Sequence, residues 1–240
     1  ARTLTINGSG DTIITGGITT TTNFNLNLAY SGTGSLTLGG VSDINGGSMT
    51  FASGTLKVGD NEAIPHGAAA NTLTTAASSA STTVTVGSTA GLVVGQVFTG
   101  GTAGATVVSI DGPTTFTASV AQTLAVGAQL LFDPKGGNVT FNPATGVTAT
   151  LDLNGKSETI NGFTATTAGT TIIDNTSATA ASLTLGANDQ AVSIGGGGGV
   201  YQIQNSGGGA LSLAKTGTGT ANIAASLSYT GSTTVSNGTL

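Results

Sequence analysis

Chemistry in this chain would have to come from ten acids, five Lys or Arg and one His. The densest acidic spot is Asp60-Asn61-Glu62, with His66 just beyond it. Oxygen ligands suit calcium, so Asp60 and Glu62 are the positions to check for a metal, although none is expected. Their spacing is neither that of an EF-hand loop nor that of the GGxGxD nonapeptide of calcium-binding β-rolls. His66 has no partner Ser, Cys or second His in a nucleophile motif, and its Pro-Gly setting fits an exposed turn. Asp11, Asp43, Asp60, Asp152, Asp174 and Asp189 stand singly, each in a turn-like context with Gly or Asn, where carboxylates bond nearby backbone N–H groups. A polysaccharide-cleaving β-solenoid would need three or more acids converging with Arg or Lys, and no such cluster is visible. Gly195 to Gly199 lacks the Lys and Ser/Thr of a phosphate-binding loop and reads as a tight corner. No catalytic residue and no cofactor is expected, and the chain does not read as an enzyme.

The elements that would carry these residues are unusual in composition. Only 6% of the 240 residues are charged, against roughly 25% in an average soluble domain. With 38% hydrophobic residues the chain has apolar side chains to bury, unlike a disordered segment. Its solvent-facing surface must therefore be Thr, Ser, Asn and Gly. Five scattered cations and a net charge of -5 cannot make the basic stripe that nucleic acid needs. Aromatics at 4% leave little for a sugar-stacking platform. No apolar run approaches the 18 residues of a spanning helix, so no membrane insertion is expected. Zero cysteines rule out a disulfide framework.

Apolar residues recur in pairs spaced by two: Leu4/Ile6, Leu26/Leu28, Leu36/Leu38, Met49/Phe51 and Leu56/Val58, then Val139/Phe141, Leu151/Leu153, Leu183/Leu185, Val192/Ile194, Tyr201/Ile203 and Leu211/Leu213. Period two predicts strands with one buried face. They are separated by GG, NG, SG or GTG, which is all-β spacing. Similar segments recur in tandem, which favours a parallel solenoid over a sandwich of hairpins. Gly32 to Leu56 opens with GTG and closes with GTL, and Gly217 to Leu240 does the same. Leu4 to Ile18 likewise resembles Leu183 to Gly197, so the chain contains one period of about 180 residues and the start of another. Both ends fall in mid-pattern, and flanking cassettes are expected.

Between Ala68 and Asp133 the character changes to an Ala-, Thr- and Val-rich stretch in which no charge occurs from Gly67 to Ile110. Four or five short strands there predict a small β module entered at Ile64-Pro65-His66-Gly67 and left at Asp133-Pro134-Lys135-Gly136. The expected domains are thus a first β-helix part over 1–67, an inserted module over 68–133, and a β-helix continuation over 134–240.

The stretches GTGSLTLGG and GGSMTFASGTLKVGDNEAIPHG resemble the autotransporter-associated β-strand repeat. ATLDLNGKSETINGF and TTIIDNTSATAASLTLGAND resemble the segments that follow that motif, and KTGTGTANIAASLSYTGSTTVSNGTL resembles its second occurrence. The resemblance implies a right-handed parallel β-helix displayed on a bacterial surface, often as a stalk or adhesin. With the module, the expected fold is a right-handed parallel β-helix carrying an inserted small antiparallel β domain. The expected function is a non-catalytic segment of an extracellular fibre or adhesin stalk. Its expected partners are neighbouring copies or tandem repeats in a filament. The alternative is an adhesin whose 68–133 module recognises glycans or a host or neighbouring-cell surface.

Overall fold

In a computed structural model of the chain, residues 2–18, 26–40, 42, 47–64, 71–89, 92, 98–132, 138–187 and 190–240 are described. His66, Asp43, Asp189 and most of the two expected module junctions lie outside them. The described residues contain no α-helix. The chain divides into two compact units, one formed by Ala1–Gly67 with Gly136–Leu240 and the other by Ala68–Lys135.

The first unit consists of three parallel sheets. The first sheet stacks Arg2–Ile6, Leu26–Tyr30, Met49–Phe51, Val139–Phe141, Phe163–Ala165, Val192–Ile194 and Ala221–Ile223 in that order. The second stacks Thr12–Ile14, Ser35–Leu38, Gly54–Val58, Thr148–Asp152, Thr170–Asp174, Val200–Ile203 and Ser226–Leu227. The third stacks Ser157–Ile160, Ala181–Leu185, Leu211–Lys215 and Thr233–Val235. From Val139 onward the chain visits first, second and third sheet in rotation, coil after coil, as in a β-solenoid.

In-register stacking places like residues over one another. Leu36, Leu56, Leu151, Ile173 and Ile203 form one inward column. Leu28, Met49, Val139, Phe163 and Val192 form another. Both columns are almost wholly buried, because period-two alternation turns every second side chain inward. The outward column of the first sheet reads Thr50, Thr140, Thr164 and Ser193. An aromatic stack runs through the same core: Tyr30 to Phe51 at 4.6 Å, Phe51 to Phe141 at 5.1 Å, and Phe141 to Phe163 at 5.3 Å between ring centroids. Met49 pairs directly with Val139, so the solenoid stack continues unbroken across the sequence that forms the second unit.

The second unit has two antiparallel three-stranded sheets. One orders Val107–Gly112, Thr115–Leu124 and Ser78–Thr85; the other orders Asn71–Leu73, Gln129–Phe132 and Phe98–Thr99. Among the described residues that makes six strands where alternation predicts four or five, because Asn71–Leu73 and Phe98–Thr99 are too short to show a period. Phe98, Phe116 and Phe132 meet edge-on or tilted at 5.1–5.6 Å and centre a separate core with Val84, Val86 and Val107. Register shifts in Val107–Gly112 break the alternation, and Ile110 is left 39% exposed.

Candidate functional site

Asp60 and Glu62 lie just after the second-sheet strand Gly54–Val58, where the chain turns towards the edge of the third sheet. Asp60 is exposed, and its Oδ1 accepts the N–H of Asn61 at 2.8 Å. Glu62 holds a left-handed backbone with φ 54°. That conformation is uncommon outside glycine, and here side-chain bonding fixes it. Its carboxylate accepts both the N–H and the hydroxyl of Thr159 at 3.1 Å. The N–H of Glu62 donates to the Ser157 carbonyl, and Asn61 Oδ1 accepts the Ser157 N–H at 2.8 Å. Glu62 is thereby engaged with the edge strand Ser157–Ile160. Among the described residues no group of three or more His, Asp or Glu could hold a metal ion.

The arrangement has a third acid that the sequence reading did not single out. Glu158 is 1% exposed and points inward in the same column as Leu183 and Leu213. Its Oε1 accepts the N–H of Ala63 at 2.7 Å, and both oxygens lie 3.3 Å from the N–H of Ile64. Burial pushes its carboxyl up to about 9, with the negative charges of Glu62 and Asp60 adding to the rise and the two N–H groups opposing it. At Glu158 burial outweighs the two backbone donors, so the neutral acid is the form favoured at neutral pH. Residues 61–64 and 157–159 form a clasp. It ties the last described residues before the second unit to the third sheet, through side chains in place of a full ladder. The inward position of Glu158 was legible: it precedes Ile160 by two in Ser-Glu-Thr-Ile.

Among the other described acids, Asp11, Asp152 and Asp174 bridge neighbouring coils. Asp11 Oδ1 accepts the N–H and the hydroxyl of Ser35, both at 2.8 Å, which holds its carboxyl below the usual range. Asp152 takes the N–H and hydroxyl of Thr176 at 3.1 and 2.7 Å, and Asp174 takes those of Ser206 at 2.8 Å. In the second unit, the Ser109 and Thr117 hydroxyls donate to Asp111 and lower its carboxyl likewise. Each carboxylate is matched to donors on its own turn or on the adjoining coil. What this arrangement does chemically is to satisfy turn N–H groups that the parallel ladders leave over.

Two corners repeat one construction. In Leu26–Gly34 and Leu211–Gly219, LNLAYSGTG and LSLAKTGTG place Tyr30 and Lys215 at equivalent positions. Both side chains are 2% exposed. Lys215 Nζ donates to the carbonyls of Thr216, of Gly217 at 2.8 Å and of Asn237 at 3.5 Å. Gly54, at φ 75°, packs where a Cβ would meet the carbonyl oxygens of Gly34 and, at 2.7 Å, of Gly32. Gly238, at φ 73°, sits the same way at 2.5 and 2.6 Å from those of Gly219 and Gly217. The sequence repeat is therefore a repeat of local structure, and both glycines are required twice over, by conformation and by space. Gly195 to Gly199 is such a corner too: a Cβ on Gly197 would collide with the Thr166 carbonyl.

The chain matches no protein-family model and no curated protein. Among the described residues no helix is long and apolar enough to cross a membrane.

Proposed function

We propose that the chain is a non-catalytic structural segment of a bacterial extracellular fibre or adhesin stalk, built as a right-handed parallel β-helix with residues 68–133 as an inserted module. The observation that carries this reading is the pair of equivalent corners, Tyr30 to Gly54 and Lys215 to Gly238, built into one continuous stack of parallel coils. Rebuilding the same corner after one period is what a tandem stack of such units requires. Parallel strands stacked along an axis give a rod whose backbone hydrogen bonds run along its length. The acids support the same reading, since those described are engaged in turns and inter-coil bonds.

The test is electron microscopy of the native material. Rods with a coil spacing near 4.8 Å are expected. Compact particles that cleave a polysaccharide would overturn the proposal. A second reading, in which the 68–133 module binds a glycan or a neighbouring cell's surface, draws on the exposed apolar side chains of that unit, including Leu73, Val108 and Val126. Deleting the module would abolish attachment and leave the rod on that reading; unchanged attachment would remove it.

A further inference from the structure

The two copies of the repeat do not occupy the same faces of the solenoid. Arg2–Ile6 and Leu26–Tyr30 are in the first sheet, whereas their counterparts Ala181–Leu185 and Leu211–Lys215 are in the third. Thr12–Ile14 and Ser35–Leu38 are in the second sheet, and their counterparts Val192–Ile194 and Ala221–Ile223 are in the first. Met49–Phe51 of the first sheet corresponds to Thr233–Val235 of the third. The pairing at the corner follows: Ser35 pairs with Thr55 in the second sheet, and the equivalent Thr220 bridges Thr239 next to the first-sheet strand. All of these counterparts are displaced in the same sense. One period advances the chain by four coils and two of the three faces.

We infer that the repeat is a screw element: each cassette of the stalk is turned by one face relative to the cassette before it. This rests on the stalk reading proposed above. The point at which the chain leaves for the 68–133 module, after Ile64, then falls on the third, the second and the first face in successive cassettes, and returns only in the fourth. The positions equivalent to that exit are distributed around the solenoid by thirds. An integral number of coils would have aligned them all on one face. At about 4.8 Å per coil a cassette adds about 22 Å, and the structure returns to register only after three cassettes and fourteen coils, about 67 Å. The partner chemistry this suits is one that surrounds the rod, such as other stalks packed on several sides, and not a flat surface met by one face.

The chain has no cysteine, so cross-linking pairs report cleanly. Thr164 and Ser193 are first-sheet neighbours, and Thr159 and Thr184 are third-sheet neighbours. In the full chain, the Thr164→Cys/Ser193→Cys and Thr159→Cys/Thr184→Cys pairs are expected to oxidise to disulfides, and Thr164→Cys/Thr184→Cys is not. If the last pair forms and Thr164→Cys/Ser193→Cys does not, the second copy sits on the face of the first and the inference falls. The second measurement is cryo-electron microscopy of a three-cassette chain, residues 1–180, 2–180 and 2–240 joined in that order. Counterparts of Leu26–Tyr30 on three different faces support the inference. A continuous rod with them on one face overturns it and leaves the stalk reading standing. Cassettes folding as separate particles remove the stalk reading, and the inference with it.

Discussion

Replacing Glu158 by Gln should change how the stability of this protein depends on pH more than it changes the stability itself at low pH. The side chain is 1% exposed, and burial raises its carboxyl from 4.5 to about 9. The folded chain therefore binds a proton at this site over a pH range in which the unfolded chain has released it. Stability is then fully present below about 4.5 and is lost as pH rises through about 9, the reverse of ordinary acid denaturation. Each pH unit inside that window removes on the order of 1 kcal/mol, so the loss across it is a sizeable part of a typical stability of about 5–15 kcal/mol. Gln keeps an oxygen for the Ala63 N–H and has nothing to titrate. Urea unfolding of both proteins from pH 5 to 9.5 is the assay, and the gap in favour of Glu158→Gln should widen steadily with pH. Glu62→Gln should lower the pH at which the wild-type loss ends, because Glu62 is one of the two charges raising Glu158. Wild-type and Glu158→Gln curves that run parallel across this range would refute the reasoning.

Phe141→Ala opens the middle of the aromatic stack, where the ring is fully buried between Phe51 and Phe163, and should cost about 3–5 kcal/mol in chemical denaturation. Gly54→Ala meets both a left-handed backbone and two carbonyl oxygens and should cost more than about 1 kcal/mol, whereas Gly10→Ala, with nothing within 4 Å of its Cβ, should leave the melting curve nearly unchanged. Glu158→Leu matches the Leu183–Leu213 column but strands the N–H groups of Ala63 and Ile64, at about 1–3 kcal/mol for each donor left without an acceptor; amide exchange at those two positions should accelerate first.

Most of the solenoid was legible because alternation is a local property. Leu36/Leu38, Met49/Phe51 and Leu211/Leu213 are buried as their spacing predicts. What alternation misses is the polar residue on an inward position. Glu158 and Lys215 are charged types occupying core columns, and only the residues around them, Ile160 for one and the Tyr30 equivalence for the other, reveal it. The Asp-Ser and Asp-Thr bridges between coils were invisible for a different reason. Asp152 and Thr176, or Asp174 and Ser206, become neighbours through coil length, and no local pattern sets that length. The displacement of the repeat by one face has the same origin: the sequence shows that the copies are alike, and only counting the coils between them shows where each one lands.

The central claim is that cassettes of this chain stack end to end into one rod. Particle lengths of chains carrying one, two and three cassettes, measured by electron microscopy, test it most directly. The account predicts a constant increment of about 22 Å per cassette, from four coils and two faces at about 4.8 Å each coil. Increments that vary from particle to particle, as for separate globules on linkers, would contradict it.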